Sequence, residues 1–162
     1  MRKKPVYLGV IVLIAVALVS ARPILASDDD KKGVNEAVKQ FYVALNAMFT
    51  GDLGPMQRIW SHANDVTYMG AAGGYRTGWD QVISDWEAQA AMKLGGRVTP
   101  KDIRITLGRD LAVVSNYEIG ENSGPDGKPQ EVTIRATNLF RKEDGKWKMI
   151  GHHTDLLPFL EK

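Results

Sequence analysis

Residues 132–155 read VTIRATNLFRKEDGKWKMIGHHTD, and this stretch decides the fold. Val132 to Lys142 and Lys146 to Asp155 are two long runs rich in β-branched and aromatic residues. Glu143-Asp144-Gly145 between them is a strong hairpin signal. Working backwards, Ser123-Gly124-Pro125-Asp126-Gly127 is a turn. Leu111 to Ile119 is a further strand, reached through Gly108-Arg109-Asp110, and Ile103, Ile105 and Leu107 alternate with polar residues. The second half of the chain is therefore strand after strand.

The first half is helical. Val34, Ala37, Val38, Phe41, Tyr42, Leu45, Met48 and Phe49 recur at spacings of three and four, one face of a helix that Gly51 stops. Asp52 and Pro55 open a short second helix carrying Met56, Ile59 and Trp60. Asp65 to Met69 is a short strand and Gly70 to Gly74 a flexible turn. Trp79, Val82, Ile83, Trp86 and Ala90 mark a third helix, ending at Gly95-Gly96. Helices first and a meander later predict an α+β domain. The sheet is expected to be antiparallel and strongly curved, with the helices packed on one face. Such a sheet leaves a hollow against the helices, a common place for a ligand pocket.

The chain has 162 residues, 44% hydrophobic and 25% charged, enough for one domain plus an appendage. It has no Cys, which excludes disulfides, thiolate zinc sites and a lipidated Cys. Arg2-Lys3-Lys4, the apolar run from Val6 to Val19 and the small residues Ser20-Ala21 and Ala26-Ser27 form the three-part pattern of a secretory signal. Cleavage fits after Ala21 or Ala26, and the acidic Asp28-Asp29-Asp30 favours Ala26. The expected division is a signal over residues 1–26 and a domain over 27–162, exported to the periplasm or the extracellular space. An uncleaved membrane anchor is the alternative. Without residues 1–26, 17 basic residues face 19 acidic ones, a net charge of −2. That balance gives no reason to expect nucleic acid or an anionic membrane as partner.

Three stretches carry a family resemblance. They are Phe41-Tyr42-Val43-Ala44-Leu45-Asn46-Ala47 with Gly51-Asp52-Leu53; Ile59-Trp60 with Asp65-Val66-Thr67-Tyr68 and Gly78-Trp79; and Arg135-Ala136-Thr137-Asn138-Leu139-Phe140, Asp144-Gly145-Lys146-Trp147 and His152-His153-Thr154-Asp155. In order and spacing they resemble the nuclear transport factor 2-like superfamily, in its SnoaL-like branch; the resemblance implies a cystatin-like roll, a cone-shaped curved antiparallel sheet with three N-terminal-half helices packed on its concave face. The third stretch is also similar to the association domain of calcium/calmodulin-dependent protein kinase II. That domain's pocket arginines fall on Asn138 and Thr154 here, which argues against an anion-binding role at those positions. Set beside ketosteroid isomerase, the oxyanion-stabilising Tyr falls on Phe41 and the carboxylate base close to Gly70. Neither can do that chemistry.

His152 and His153 are neighbours on a strand, so one at most faces the hollow. His153 is favoured, because it shares a face with Trp147 and Asp155 and matches the superfamily's recurrent His; a one-residue shift of the strand would promote His152. His153 and Asp155 are the candidate catalytic pair. Tyr42, Trp60, Tyr68, Trp86 and Tyr117 offer apolar bulk with a polar tip, suited to the wall of a pocket for a ring-containing ligand. Asn138 joins them by its match to a pocket position, together with His152 and His153. Arg135 falls on the opposite face from Asn138, where it could serve a dimer contact. With three His, no Cys and no metal-type spacing, neither a metal nor a cofactor is expected.

Three functions stay open. The first is a ligand-binding domain for a small apolar or aromatic molecule, a homodimer through the open sheet face. The second is a lyase, isomerase or cyclase acting on a small carbonyl or polyketide-like substrate. The third is a non-catalytic oligomerisation module.

Overall fold

A computed structural model describes residues 27–155 except 72, 125 and 126. The segment read as a secretory signal lies outside the described residues. Helix α1 (Asp28–Met48) opens on a capping box. The Ser27 hydroxyl accepts from the Asp30 N–H, and the Asp30 carboxylate accepts from the Ser27 N–H. Three acids in its first turn oppose the helix dipole. Its apolar stripe, from Val34 through Phe41 and Tyr42 to Met48, is buried. Two further helices follow, α2 (Gly54–Ile59) and α3 (Trp79–Met92), the latter burying Val82, Trp86 and Ala90.

The strands are β1 (Thr67–Gly70), β2 (Gly73–Thr77), β3 (Arg97–Leu107), β4 (Leu111–Ser123), β5 (Pro129–Glu143) and β6 (Lys146–Asp155). They form one curved sheet in the order β2-β1-β6-β5-β4-β3. The fold is the expected α+β arrangement, with three refinements. The glycine-rich turn expected over 70–74 runs into a strand, β2, which pairs back on β1. Strand β3 begins at Arg97 rather than near Ile103. It tolerates Pro100 because it is an edge strand, where a missing N–H breaks no ladder. Finally, β1 runs parallel to β6, while the other neighbouring pairs are antiparallel.

The free edge of β3 is tied down by α1. The Asn46 side chain accepts from the Val98 N–H at 2.8 Å and donates to the Val98 carbonyl at 2.9 Å. One amide thus satisfies both backbone groups that an edge residue would leave unpaired.

A bulge in β6 sets which face each late residue takes. Phe140 pairs with Met149 but Leu139 pairs with Gly151, so Ile150 is the extra residue. Trp147 and Met149 face inward before it, and the alternation then restarts one position later with His152 inward.

Among the described residues no helix is long and apolar enough to cross a membrane.

Candidate functional site

The inner face of the sheet carries a buried polar cluster under α1. Across the strands one row runs Tyr68, His152, Asn138 and Val114; the next inner positions on β4 are Asn116 and Glu118. Asn116, Glu118, Asn138 and His152 are all buried, Asn138 completely. Tyr42 reaches down from α1 and joins them. Its hydroxyl donates to Glu118 Oε1 at 3.1 Å and accepts from Asn116 Nδ2 at 2.7 Å. Asn138 Nδ2 donates to Asn116 Oδ1 at 3.1 Å and, at 3.4 Å, to the same hydroxyl. The Asn138 carbonyl oxygen lies 2.6 Å from His152 Nδ1. An amide oxygen only accepts, so Nδ1 carries the proton and Nε2 is bare. That nitrogen faces Glu118 Oε1 at 3.9 Å.

Burial penalises both charged forms here. It pushes the Glu118 carboxyl up to about 7, with the Tyr42 hydrogen bond opposing, and holds the His152 imidazole down to about 3, with His153 adding a smaller repulsion. Between these values both groups are neutral, so Glu118 and His152 are a neutral pair rather than an ion pair. The Tyr42 phenol is held well above its usual range, first by burial and then by Glu118.

Aromatic rings complete the interior. Tyr68 lies parallel to His152 at a centroid distance of 5.9 Å, and Trp86 packs on Tyr68 at 4.4 Å. Trp60 meets Trp86 at 6.1 Å, and Phe41 meets His152 at 4.9 Å. The Tyr68 hydroxyl accepts from Gln89 at 2.8 Å, and burial pushes its pKa up to about 12. Both indole N–H groups, of Trp60 and Trp86, are buried without a hydrogen-bond partner among the described residues.

Of the residues singled out from sequence, Tyr42, Trp60, Tyr68, Trp86, Asn138 and His152 therefore meet in the interior. His153, Asp155 and Tyr117 do not. The Ile150 bulge turns His153 to the outer face, where its Nε2 lies 2.9 Å from the Thr67 hydroxyl. Asp155 stands on that face too, paired with Arg135 at 2.9 Å. Tyr117 is 42% exposed there. With Asp155 and Arg135 it lines a concavity of about 640 Å³ on the outer side of the sheet. The expectation that His153, rather than His152, faces inward is corrected by this geometry. Phe41 packs on the His152 ring, and the phenol of the next residue, Tyr42, is held within the polar cluster. Glu118 and Asn116 are the members that the sequence reading missed. Their signal was their place on one parity with Ala112 and Val114, obscured because the other parity, Leu111, Val113, Tyr117 and Ile119, is the more apolar.

Among the described residues no group of three or more His, Cys, Asp or Glu could hold a metal ion.

Comparisons with known proteins agree with this architecture. A candidate dehydratase of the NTF2-like family from Streptomyces avermitilis superposes with a TM-score of 0.71 at 22% identity, covering 80% of this chain and 97% of that one. The association domain of C. elegans CaMKII superposes with a TM-score of 0.63 at 16% identity, covering 80% of this chain and all of that one (100%). At these identities the likeness is one of fold. Among curated proteins, the F-box protein SKIP8 of Arabidopsis thaliana is 26% identical over 106 residues, 65% of this chain. The match spans 42% of the length of that relative. The family model described as the SnoaL-like domain matches residues 34–156, which takes in α1 from its first buried residue and all six strands. The chain belongs to the SnoaL-like domain family.

Proposed function

We propose that this SnoaL-like domain binds a small, uncharged molecule carrying a ring and a carbonyl oxygen, between the sheet and the helices. The observation that carries the reading is the pair of indole N–H groups, of Trp60 and Trp86, buried without acceptors. An unpaired buried donor costs about 1–3 kcal/mol, and a ligand oxygen that accepts from it recovers that cost. The surroundings suit a neutral ring: Tyr68 and Trp86 offer faces and edges, and Glu118 and His152 are both uncharged below neutral pH. The test is a set of small aryl ketones with matched hydrocarbons, for instance 2-tetralone against tetralin, read by tryptophan fluorescence and thermal denaturation. The ketone binds at least tenfold more tightly than the hydrocarbon. Trp60→Phe and Trp86→Phe variants that keep the far-UV spectrum lose that preference. Equal binding of ketone and hydrocarbon, or binding of neither, overturns the reading.

A second reading, catalysis on the same molecule, is favoured by Glu118. A carboxyl that titrates near neutral pH can both take and return a proton there, which is what a general base needs. Removing the proton next to a carbonyl, with the indole N–H groups donating to the developing oxyanion, is the first step of an isomerase or lyase. The two Asn side chains hold the Tyr42 hydroxyl, which in turn donates to Glu118 and holds it in place. Exchange of the α-protons of 2-tetralone for deuterium, followed by NMR, tests this. The rate climbs with pH through about 7; Glu118→Gln abolishes the catalysed exchange and leaves ketone binding intact. An unchanged exchange rate in Glu118→Gln removes the catalytic reading alone.

Export of the chain by its N-terminal segment, and homodimer formation through the outer sheet face, belong to the same proposal. The dimer is supported by exposed Leu111, Val113 and Tyr117 on β4.

A further inference from the structure

The interior polar cluster is neutral, but a groove at the edge of the sheet is not. Between α1 and β3 lies an open groove of about 620 Å³, a volume typical of small-molecule sites. Its floor is apolar and buried: Val38 and Tyr42 from the helix, Val98 from the strand. Exposed Val43 and Ile103 extend this surface to the rim, at 66% and 42% exposure.

The charges around the groove have one sign. Lys39 from α1 and Arg97 from β3 line it, and no acidic residue does. Neither side chain makes an ion pair or hydrogen bond within the described residues; other exposed cations such as Lys101 and Arg104 share this, but they do not line the groove. Glu121 stands opposite Arg97 in the β3–β4 register without pairing to it. Glu36, the acid of α1 nearest in sequence to Lys39, is held by Gln40 at 3.2 Å. Two unpaired cations beside an apolar trough fit a molecule with an anionic head and an apolar body. Charge-assisted hydrogen bonds hold the head and area burial holds the body.

We infer that the α1–β3 groove is a binding site for an amphipathic carboxylate, its head held by Lys39 and Arg97 and its body laid along Val38, Tyr42, Val98 and Ile103. The groove adjoins the interior cluster through Tyr42, whose ring lines the groove while its hydroxyl belongs to the cluster. The Asn46 clamp on Val98 keeps the two walls at a fixed spacing, so the groove is built rather than incidental.

The test uses decanoate, with decanol as its uncharged counterpart, titrated calorimetrically into the protein below their micelle-forming or solubility limits. Decanoate binds at least tenfold more tightly than decanol. Lys39→Ala with Arg97→Ala removes that difference while leaving the melting temperature in place, since both side chains are exposed. Val98→Asp, with an acid introduced into the floor, abolishes binding of decanoate; where that variant does not fold, Ile103→Asp at the rim gives the same readout. Glu118→Gln binds decanoate as the wild type does, which separates this site from the interior one. Equal affinities for decanoate and decanol, an unaltered decanoate affinity in the double variant, or no binding at all overturns the inference.

Discussion

At the scale of the residue, the decisive group is Glu118. It sits 3% exposed on the inner sheet face, and the fold tolerates it because Tyr42 donates to it and because it stays protonated into the neutral range. An acid whose proton affinity is raised by folding stabilises the native state only while both states are protonated. Stability is therefore lost as pH rises from the ordinary 4.5 to about 7, and is level beyond. His152 works in the opposite sense. Its folded value near 3 lies below the ordinary 6.5, so its contribution is lost as pH falls from 6.5 toward 3. The two slopes oppose one another between 4.5 and 6.5, where the wild type is nearly level. Glu118→Gln keeps the acceptor for Tyr42 and removes one slope. Relative to wild type it gains about 3 kcal/mol between pH 4 and pH 8 in urea denaturation. Parallel curves for the two proteins would show that folding does not raise the proton affinity of this carboxyl.

At the scale of the element, β6 and β3 show what pairing decides. Alternation along Lys146–Asp155 reads continuously in the sequence and places His153 with Trp147. The extra residue Ile150 breaks that continuity and exchanges the two imidazoles between faces. A bulge leaves no composition signal, because it follows from how β6 must meet β5 on one side and Trp60 and β1 on the other. The β3 edge depends on one side chain. Asn46→Ala leaves the N–H and carbonyl of buried Val98 without their partners, and the expected loss is about 2–4 kcal/mol for the two bonds. Amide exchange at Val98 rises in that variant while exchange in β5 follows only the global change. A loss under about 0.5 kcal/mol would mean that water replaces the amide freely there.

At the scale of the whole molecule, the outer face of the sheet is the part whose sequence most exceeds what one chain uses. Leu111, Val113 and Tyr117 stand 54%, 39% and 42% exposed, with half-buried Leu139 beside Val113 in the register. Apolar side chains in a row on a sheet face are commonly covered by a partner. A second copy meeting this face would bury about 800 Å² per chain in a standard interface. The expected outcome is a dimer in light scattering that Leu111→Lys with Val113→Lys converts to a folded monomer. A wild-type monomer at the highest soluble concentration would count against the assembly.

The sequence by itself determined the class of the fold, the order of helices and strands apart from β2, the hairpin at Asp144-Gly145 and most of the aromatic interior, because these rest on local periodicity and turn chemistry. Trp60, Trp86, Tyr68 and Tyr42 were legible for that reason. Only the tertiary structure decided which late histidine turns inward, that Glu118 and Asn116 lie beneath Tyr42, and that β1 joins β6 in parallel. Those outcomes depend on register and on partners distant in the chain. On β4 the more apolar parity lies outside and the more polar one inside. Hydrogen bonds from a helix more than seventy residues away make that arrangement stable, and no window of sequence contains both partners.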